Sequence, residues 1–190
     1  MVAQPDVRKG VLPPSAPVRI GPMRRRHLRG VLRIEEQVNP RPWSLSLFLS
    51  ELRYTESRAY LVARIGTQLV GYAGLMLVAG DGHITNVGVD PDHRRQGIAT
   101  RLMLELSRRA LEEGAEALTL EVRVTNTGAQ ELYRRFGFVP AGVRKGYYPA
   151  SGENEDALIM WATDIDTPAH RARLAEIEQG LPTPTLLEST

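Results

Sequence analysis

The sequence predicts an α/β fold in which one mixed, mostly antiparallel sheet carries helices on both faces, and three observations lead there. Short apolar or alternating runs bounded by glycine-containing turns recur along the chain. Helical periodicity interrupts them, and the resulting order is βααβββαβαββ. That order implies seven strands, with three consecutive ones pairing as an antiparallel meander.

Residues 18–20 read as a short strand. Residues 24–38 follow as a helix, with Leu28, Val31, Leu32 and Glu35 at helical spacing and Pro40 and Pro42 stopping it. A second helix is expected over 44–53. Strands over 59–65, 68–78 and 83–89 are joined by Gly66-Thr67 and by Gly80-Asp81-Gly82. The stripe Ile98, Leu102, Leu106 and Ala110 predicts a long helix over 96–113, with Gly114 suited to its C′ position. Over 117–124, Leu118, Leu120, Val122 and Val124 alternate with Thr119, Glu121 and Arg123, the period of a strand covered on one face. Asn126 or Thr127 caps the next helix, Thr127 and Gln130 stand at capping-box spacing, and Gly137 closes it. Strands over 138–147 and 156–163 bracket a loop containing Pro149, Ser151 and Gly152.

Residues 1–14, rich in proline and glycine, read as a flexible N-terminal extension, and 15–164 as one domain. Residues 165–190 read as a C-terminal tail with a short helix from Pro168, for which Ala172, Leu174, Ala175 and Ile177 offer a weak apolar face.

A 190-residue chain with 42% hydrophobic residues is enough for one buried core. With no cysteine, thiolate metal sites and disulfides are excluded, and His27, His83, His93 and His170 lack metal-ligand spacing, so no metal is expected. No apolar run reaches the ~20 residues of a membrane span, and the N-terminus carries charges and prolines instead of a signal peptide's apolar stretch. A cytoplasmic protein with no membrane partner is the expectation. The net charge of +2 points to no particular partner, and no direct nucleic-acid recognition is predicted. Arg24, Arg25, Arg26 and Arg29 nevertheless cluster, as do His93, Arg94 and Arg95. Either set faces phosphate or an anionic surface, or is a solvated face.

The segment Val87-Gly88-Val89-Asp90-Pro91-Asp92-His93-Arg94-Arg95-Gln96-Gly97-Ile98-Ala99-Thr100 leads from a strand through a basic turn into the long helix. Helix N-terminal amides are unpaired and partially positive, Gly97 permits close backbone approach, and the arginines add charge, which together suit a phosphate. The plainer alternative is a shaped turn with solvated arginines.

Arg94-x-x-Gly97-x-Ala99 resembles the pyrophosphate-binding motif Q/R-x-x-G-x-G/A of the GCN5-related N-acetyltransferases. The run from Leu120 to Asn126, Leu132-Tyr133, Phe136-Gly137-Phe138, Gly146-Tyr147-Tyr148-Pro149 and 155–160 resembles the RimI branch of that family. So do Ile34-Glu35 and Pro42-Trp43-Ser44 upstream, and the likeness covers roughly residues 16–164.

The resemblance implies a fold whose fourth and fifth strands splay apart to admit acetyl-coenzyme A. It implies cofactor contacts from Val87, Gly88, Val89, Arg95, Gln96, Gly97, Ile98, Ala99, Thr100 and Asn126. Gly88 is expected to mark a bulge or a close backbone approach. Glu121 matches the position of the general base and Tyr133 that of the acid. Tyr147 and Tyr148, with Glu35 and Trp43 opposite, match an acceptor groove. Each has a structural alternative: Glu121 pairing with Arg123, Tyr133 packing in a core, Asn126 as a helix cap, and the tyrosine pair as strand residues, one in and one out.

The implied activity is transfer of acetyl to a protein N-terminal amine, the branch's acceptor being the N-terminal alanine of ribosomal small-subunit protein 18. Lysine or small-amine acceptors are the alternative, and a non-catalytic acyl-coenzyme A-binding or ribosome-binding module is a third.

Overall fold

Val18–Pro22 (β1) and Arg58–Ile65 (β2) carry buried or half-buried residues on both faces, Arg19 alone being exposed, as in strands covered on each face by different layers. In the computed structural model, which describes residues 17–149 and 153–188, these strands pair antiparallel, with Val18 opposite Ile65. The extension expected over 1–14 and the loop residues Ser151 and Gly152 lie outside the described residues. Strands Gln68–Val78 (β3) and Asp81–Val89 (β4) complete the meander that the glycine turns predict. Ala117–Arg123 (β5), Val139–Tyr148 (β6) and Glu155–Ala162 (β7) follow, and β7 lies between β5 and β6.

The sheet has eight strands rather than seven, in the order β6-β7-β5-β4-β3-β2-β1-β8. The additional strand is Thr185–Leu187 (β8), which runs parallel to β1 at the sheet margin. Three residues carry no readable period, and β8 is held by tertiary contacts. Buried Arg101 donates to Thr185 Oγ1 and Thr183 Oγ1, each at 2.9 Å, and Glu188 pairs with Arg64 at 2.5 Å.

Leu28–Val38 (α1) and Leu45–Glu51 (α2) cover one face of the sheet around Val31, Ile34, Phe48, Tyr60 and Tyr72. The predicted helical run from Arg24 begins instead as a 3-10 turn, Arg25–His27, which the Arg24 N–H closes by donating to His27 Nδ1 at 3.1 Å. Ile98–Glu112 (α3), Thr127–Arg135 (α4) and Pro168–Gln179 (α5) supply the larger core on the other face. Its centre is the predicted stripe Ile98, Leu102, Leu106 and Ala110 against Leu75, Leu118 and Leu120. The face that α5 buries is His170, Leu174 and Ile177, with Ala172 and Ala175 exposed. The i, i+4, i+7 stripe wins over the flanking alanines because it covers more apolar area.

The cap of α4 is Asn126, whose side chain accepts from the Ala129 N–H at 3.2 Å. Thr127 and Gln130 form no capping box, because Gln130 Nε2 donates to the carbonyls of Arg123 and Val124 and ties α4 to the end of β5. The bulge expected at Gly88 lies at Thr85: Gly74 faces Asn86 and Leu75 faces Ile84, leaving Thr85 unpaired on β4. Gly88 serves close approach instead. A Cβ there would lie 2.3 Å from the Tyr72 ring, which occupies the space.

Candidate active site

The parallel strands β4 and β5 pair only over Asp81–Ala117, Gly82–Leu118 and His83–Thr119. Beyond that point β4 stays on β3 as far as Val89 and β5 stays on β7 as far as Arg123, so the two strands part and open a cleft in the sheet. The Asp90 N–H donates to the Val70 carbonyl at 2.9 Å. Alternation along an antiparallel ladder then makes Gly88–Tyr72 the next bonded pair, so the backbone groups of Val87 and Val89 point away from β3 into the cleft. Two backbone N–H donors thereby line one lip.

At the end of that lip the chain makes a 3-10 turn, Pro91–His93, then takes positive φ at Arg95 (62°) and Gly97 (75°) before α3 begins. The first intrahelical bond is Arg101 N–H to Gly97 C=O at 3.0 Å, so the amides of Ile98, Ala99 and Thr100 remain directed out of the helix end. Arg94 and Arg95 are exposed beside them, and Gln96 is half-buried. Oriented amides, a left-handed glycine and two exposed arginines without an ion pair among the described residues are features that suit an anion.

Glu121 projects from β5 at the other lip, on the α1–α2 face, because Leu118, Leu120 and Val122 take the opposite face into the main core. Its side chain is only 13% exposed. Arg144 Nη1 donates to Oε1 at 3.0 Å and His83 Nε2 lies 3.3 Å from Oε2, so the pairing with Arg123 offered as the structural alternative is not formed. Arg123 pairs with Glu155 at 2.8 Å. Burial holds the His83 imidazole below its ordinary value; Glu121 opposes that shift and Arg144 adds to it.

Tyr133 lies on the opposite face, in the main core beside Phe138 with ring centroids 5.9 Å apart. Burial, with a smaller contribution from Tyr148, pushes its phenol well above the usual range, so the hydroxyl keeps its proton. Glu121 at the lip of the cleft and Tyr133 in the main core thus lie on opposite faces of the sheet.

Of the two β6 tyrosines, Tyr148 is half-buried and Tyr147 exposed, the inward and outward arrangement of adjacent strand residues. Tyr148 donates to the Glu121 carbonyl at 2.9 Å, the Arg123 guanidinium lies 4.3 Å over its ring, and burial pushes its phenol up to about 12. Arg144 stacks 4.8 Å over Tyr147. Tyr148 thus packs beside Glu121, while Tyr147 is exposed, with its ring held between Arg144 and Tyr148.

The α1–α2 side differs from the expectation for Glu35. At 1% exposure Glu35 reaches no surface, so it cannot touch an acceptor. Oε1 accepts from Asn39 Nδ2 and the Trp43 N–H, each at 2.9 Å, and Oε2 accepts from the Tyr72 hydroxyl. Burial raises its carboxyl above the ordinary value and the Trp43 and Asn39 bonds oppose that rise. Glu35 is a brace that sets the loop carrying Trp43, whose half-buried ring packs on Phe48 and Tyr60. The residues that sequence reasoning missed are His83 and Arg144. Their only local signal is a polar position in a strand, and their meeting at Glu121 is a product of the sheet order.

No group of three or more histidine, aspartate or glutamate side chains placed to hold a metal occurs among the described residues.

The model of the acetyltransferase (GNAT) family matches residues 28–138. A Bacillus subtilis (strain 168) protein, named as a candidate [ribosomal protein bS18]-alanine N-acetyltransferase, is 40% identical over 141 residues, covering 74% of this chain and 92% of that one. The N-alpha-acetyltransferase RimI of Mycobacterium tuberculosis is 36% identical over 152 residues, covering 77% and 92%. The crystal structure of the ribosomal-protein-S18-alanine N-acetyltransferase from Escherichia coli superposes with a TM-score of 0.71 at 30% identity, over 77% of this chain and 94% of that one. With a family model matching over half of its length and relatives this similar over nearly their whole length, the chain belongs to the acetyltransferase (GNAT) family.

Proposed function

We propose that the chain is an N-α-acetyltransferase that moves the acetyl group of acetyl-coenzyme A to a protein N-terminal amine, with the N-terminal alanine of ribosomal small-subunit protein 18 as its acceptor. The observation that carries this reading is the parting of β4 from β5 beside the Glu121 carboxylate, with the backbone groups of Val87 and Val89 directed into the gap. The acceptor is taken from the names of the relatives.

Acetyl-coenzyme A supplies the acetyl group as a thioester. The residues fit it. Val87 and Val89 offer backbone N–H groups in the cleft, where a thioester oxygen gains charge as the amine attacks. Gln96, Gly97, Ile98, Ala99 and Thr100 form the helix end that suits its pyrophosphate, with Arg95 adding charge. Asn126 caps α4 through its side-chain oxygen, which leaves its amide NH₂ for the same ligand.

Glu121 does the work on the acceptor side. An α-amino group with a pKa of about 8 is mostly protonated at neutral pH, and a carboxylate in reach, directly or through one water, takes its proton. Arg144 and His83 sit against that carboxylate and fix its position at the lip of the cleft. Tyr133, held protonated by burial, donates from its hydroxyl to the departing sulfur on the other face. Exposed Tyr147 and half-buried Trp43 are the residues assigned to hold an extended chain end, which a lysine side chain on a folded surface does not match in shape.

The test is free-thiol release from acetyl-coenzyme A with three acceptors: an alanine-starting peptide, the same peptide with a blocked N-terminus and an internal lysine, and spermidine. Turnover with the free N-terminus alone is expected. Turnover with lysine or the polyamine alone overturns the acceptor, and cofactor binding without any turnover overturns the enzyme reading.

A further inference from the structure

Acetyl transfer leaves one feature of the chain unused, the arginines ahead of α1. Arg24, Arg25 and Arg26 occupy the cap and body of the 3-10 turn and Arg29 the first turn of α1, and all four are exposed. Among the described residues no carboxylate pairs with any of them, whereas Arg33 is taken by Asp90 at 2.8 Å and Arg64 by Glu188 at 2.5 Å. Arg26 and Arg29, with Arg33, Arg64, Thr67 and Gln68, line a groove of about 640 Å³. His27, at its floor, is held below the ordinary imidazole value by burial and then by Arg26, so it remains neutral. Asp90 is neutralised by Arg33, and Asp92 is the one exposed carboxylate, at one end. The groove runs toward the loop that carries Arg94 and Arg95, so it opens at the same end of the sheet as the phosphate-binding helix end.

We propose that this groove and the arginine ridge beside it dock the phosphodiester backbone of RNA. A protein partner fits poorly, because interface cores rely on apolar and aromatic anchors and the only apolar wall residue is Leu69, 9% exposed. Guanidinium groups, a threonine hydroxyl and a glutamine amide are instead the donors that contact phosphate and sugar. Docking of this kind positions the protein on a strand without reading its sequence, and its strength depends on released counterions. The choice of RNA over DNA rests on the proposed ribosomal acceptor. The surface itself does not.

The test uses the full chain and three fluorescent probes in anisotropy titrations over a salt series: an RNA hairpin, a DNA duplex and poly-glutamate. Binding of the hairpin is expected, at least as tight as that of the DNA duplex and tighter than that of poly-glutamate. The double substitution Arg26→Gln with Arg29→Gln should lower the slope of log K against log salt by roughly 1.4 to 1.8, the share of two phosphate contacts. Turnover of the alanine-starting peptide should be unchanged by that substitution. Absence of hairpin binding, a preference for DNA or poly-glutamate, or an unchanged slope in the double variant overturns the proposal. Failure of peptide turnover in both proteins overturns the acceptor reading and leaves the binding result standing.

Discussion

A methyl group added at Gly88 tests whether the cleft lip is built by close approach. The new Cβ would lie 2.3, 2.5 and 2.7 Å from Cε1, Cζ and Oη of Tyr72. Tyr72 has little room to yield, being 1% exposed, edge-on to Phe48 at 5.9 Å and bonded through its hydroxyl to Glu35. Overpacking of a filled core costs about 1–3 kcal/mol, and losing a hydrogen bond to a charged group about 1.5–3 kcal/mol. Gly88→Ala should therefore lose about 3–5 kcal/mol, which for a chain of this size is a drop of roughly 6–20 °C in Tm. Thermal unfolding by circular dichroism measures it. Tyr72→Phe isolates the hydrogen-bond share, and Tyr72→Leu in the Gly88→Ala background should recover part of the loss, because the two sites share one space. A Gly88→Ala protein melting within about 2 °C of the parent would refute the reasoning.

Glu121→Gln and Tyr133→Phe should each lower kcat by about 10²–10⁴-fold with coenzyme A binding by calorimetry unchanged, and full activity in either would remove that residue from the chemistry. Stability should fall on acidification. Burial, before any other cause, holds His27, His83 and His170 below the ordinary imidazole value. The unfolded chain then binds more protons below about pH 6.5, so stability is full above that value and is lost as pH falls. Urea midpoints should drop between about pH 7.5 and 5.5, and less so in His170→Leu, which removes a buried ring whose Nε2 has no partner among the described residues; equal drops would contradict this. Thr183→Val with Thr185→Val strips the acceptors from the Arg101 guanidinium, which is 1% exposed, and should cost about 2–4 kcal/mol in chemical denaturation, an unchanged midpoint being the contrary outcome.

What could be read from the sequence was local. β3 matches the expected 68–78 because Gly66 and Gly80 both take positive φ in its flanking turns. The α3 stripe was readable because four apolar residues at helical spacing all reach one core. The misplaced features each depend on distant partners. β8 is defined by β1, Arg101 and Arg64, all far away in sequence. The bulge falls at Thr85 because Gly88 is occupied with admitting Tyr72, a residue on another strand. The resemblance places Glu35 in the wall of an acceptor groove, and no local pattern in the sequence marks it as buried. Only the donors from Asn39, Trp43 and Tyr72 make its burial tolerable. In the candidate site, the turn ahead of α3 is contiguous and its position was legible, whereas the His83–Glu121–Arg144 group is assembled from three strands.

Both margins of the sheet bear on how well the chain stays apart from its own copies. Without Thr185–Leu187, β1 would present five residues of bare strand edge, including Val18 and Ile20, to any neighbouring chain. The covering strand is itself only three residues long, preceded by Pro184, and ends at a glutamate already bound to Arg64, so it offers little template for further pairing. At the far margin β6 exposes Val139 and Val143, yet Pro140, register shifts near Gly142 and between Arg144 and Tyr148, and the charge of Lys145 break it into pieces too short to extend. Loss of the C-terminal strand would therefore show first as aggregation at high protein concentration, before it showed as a change in catalysis.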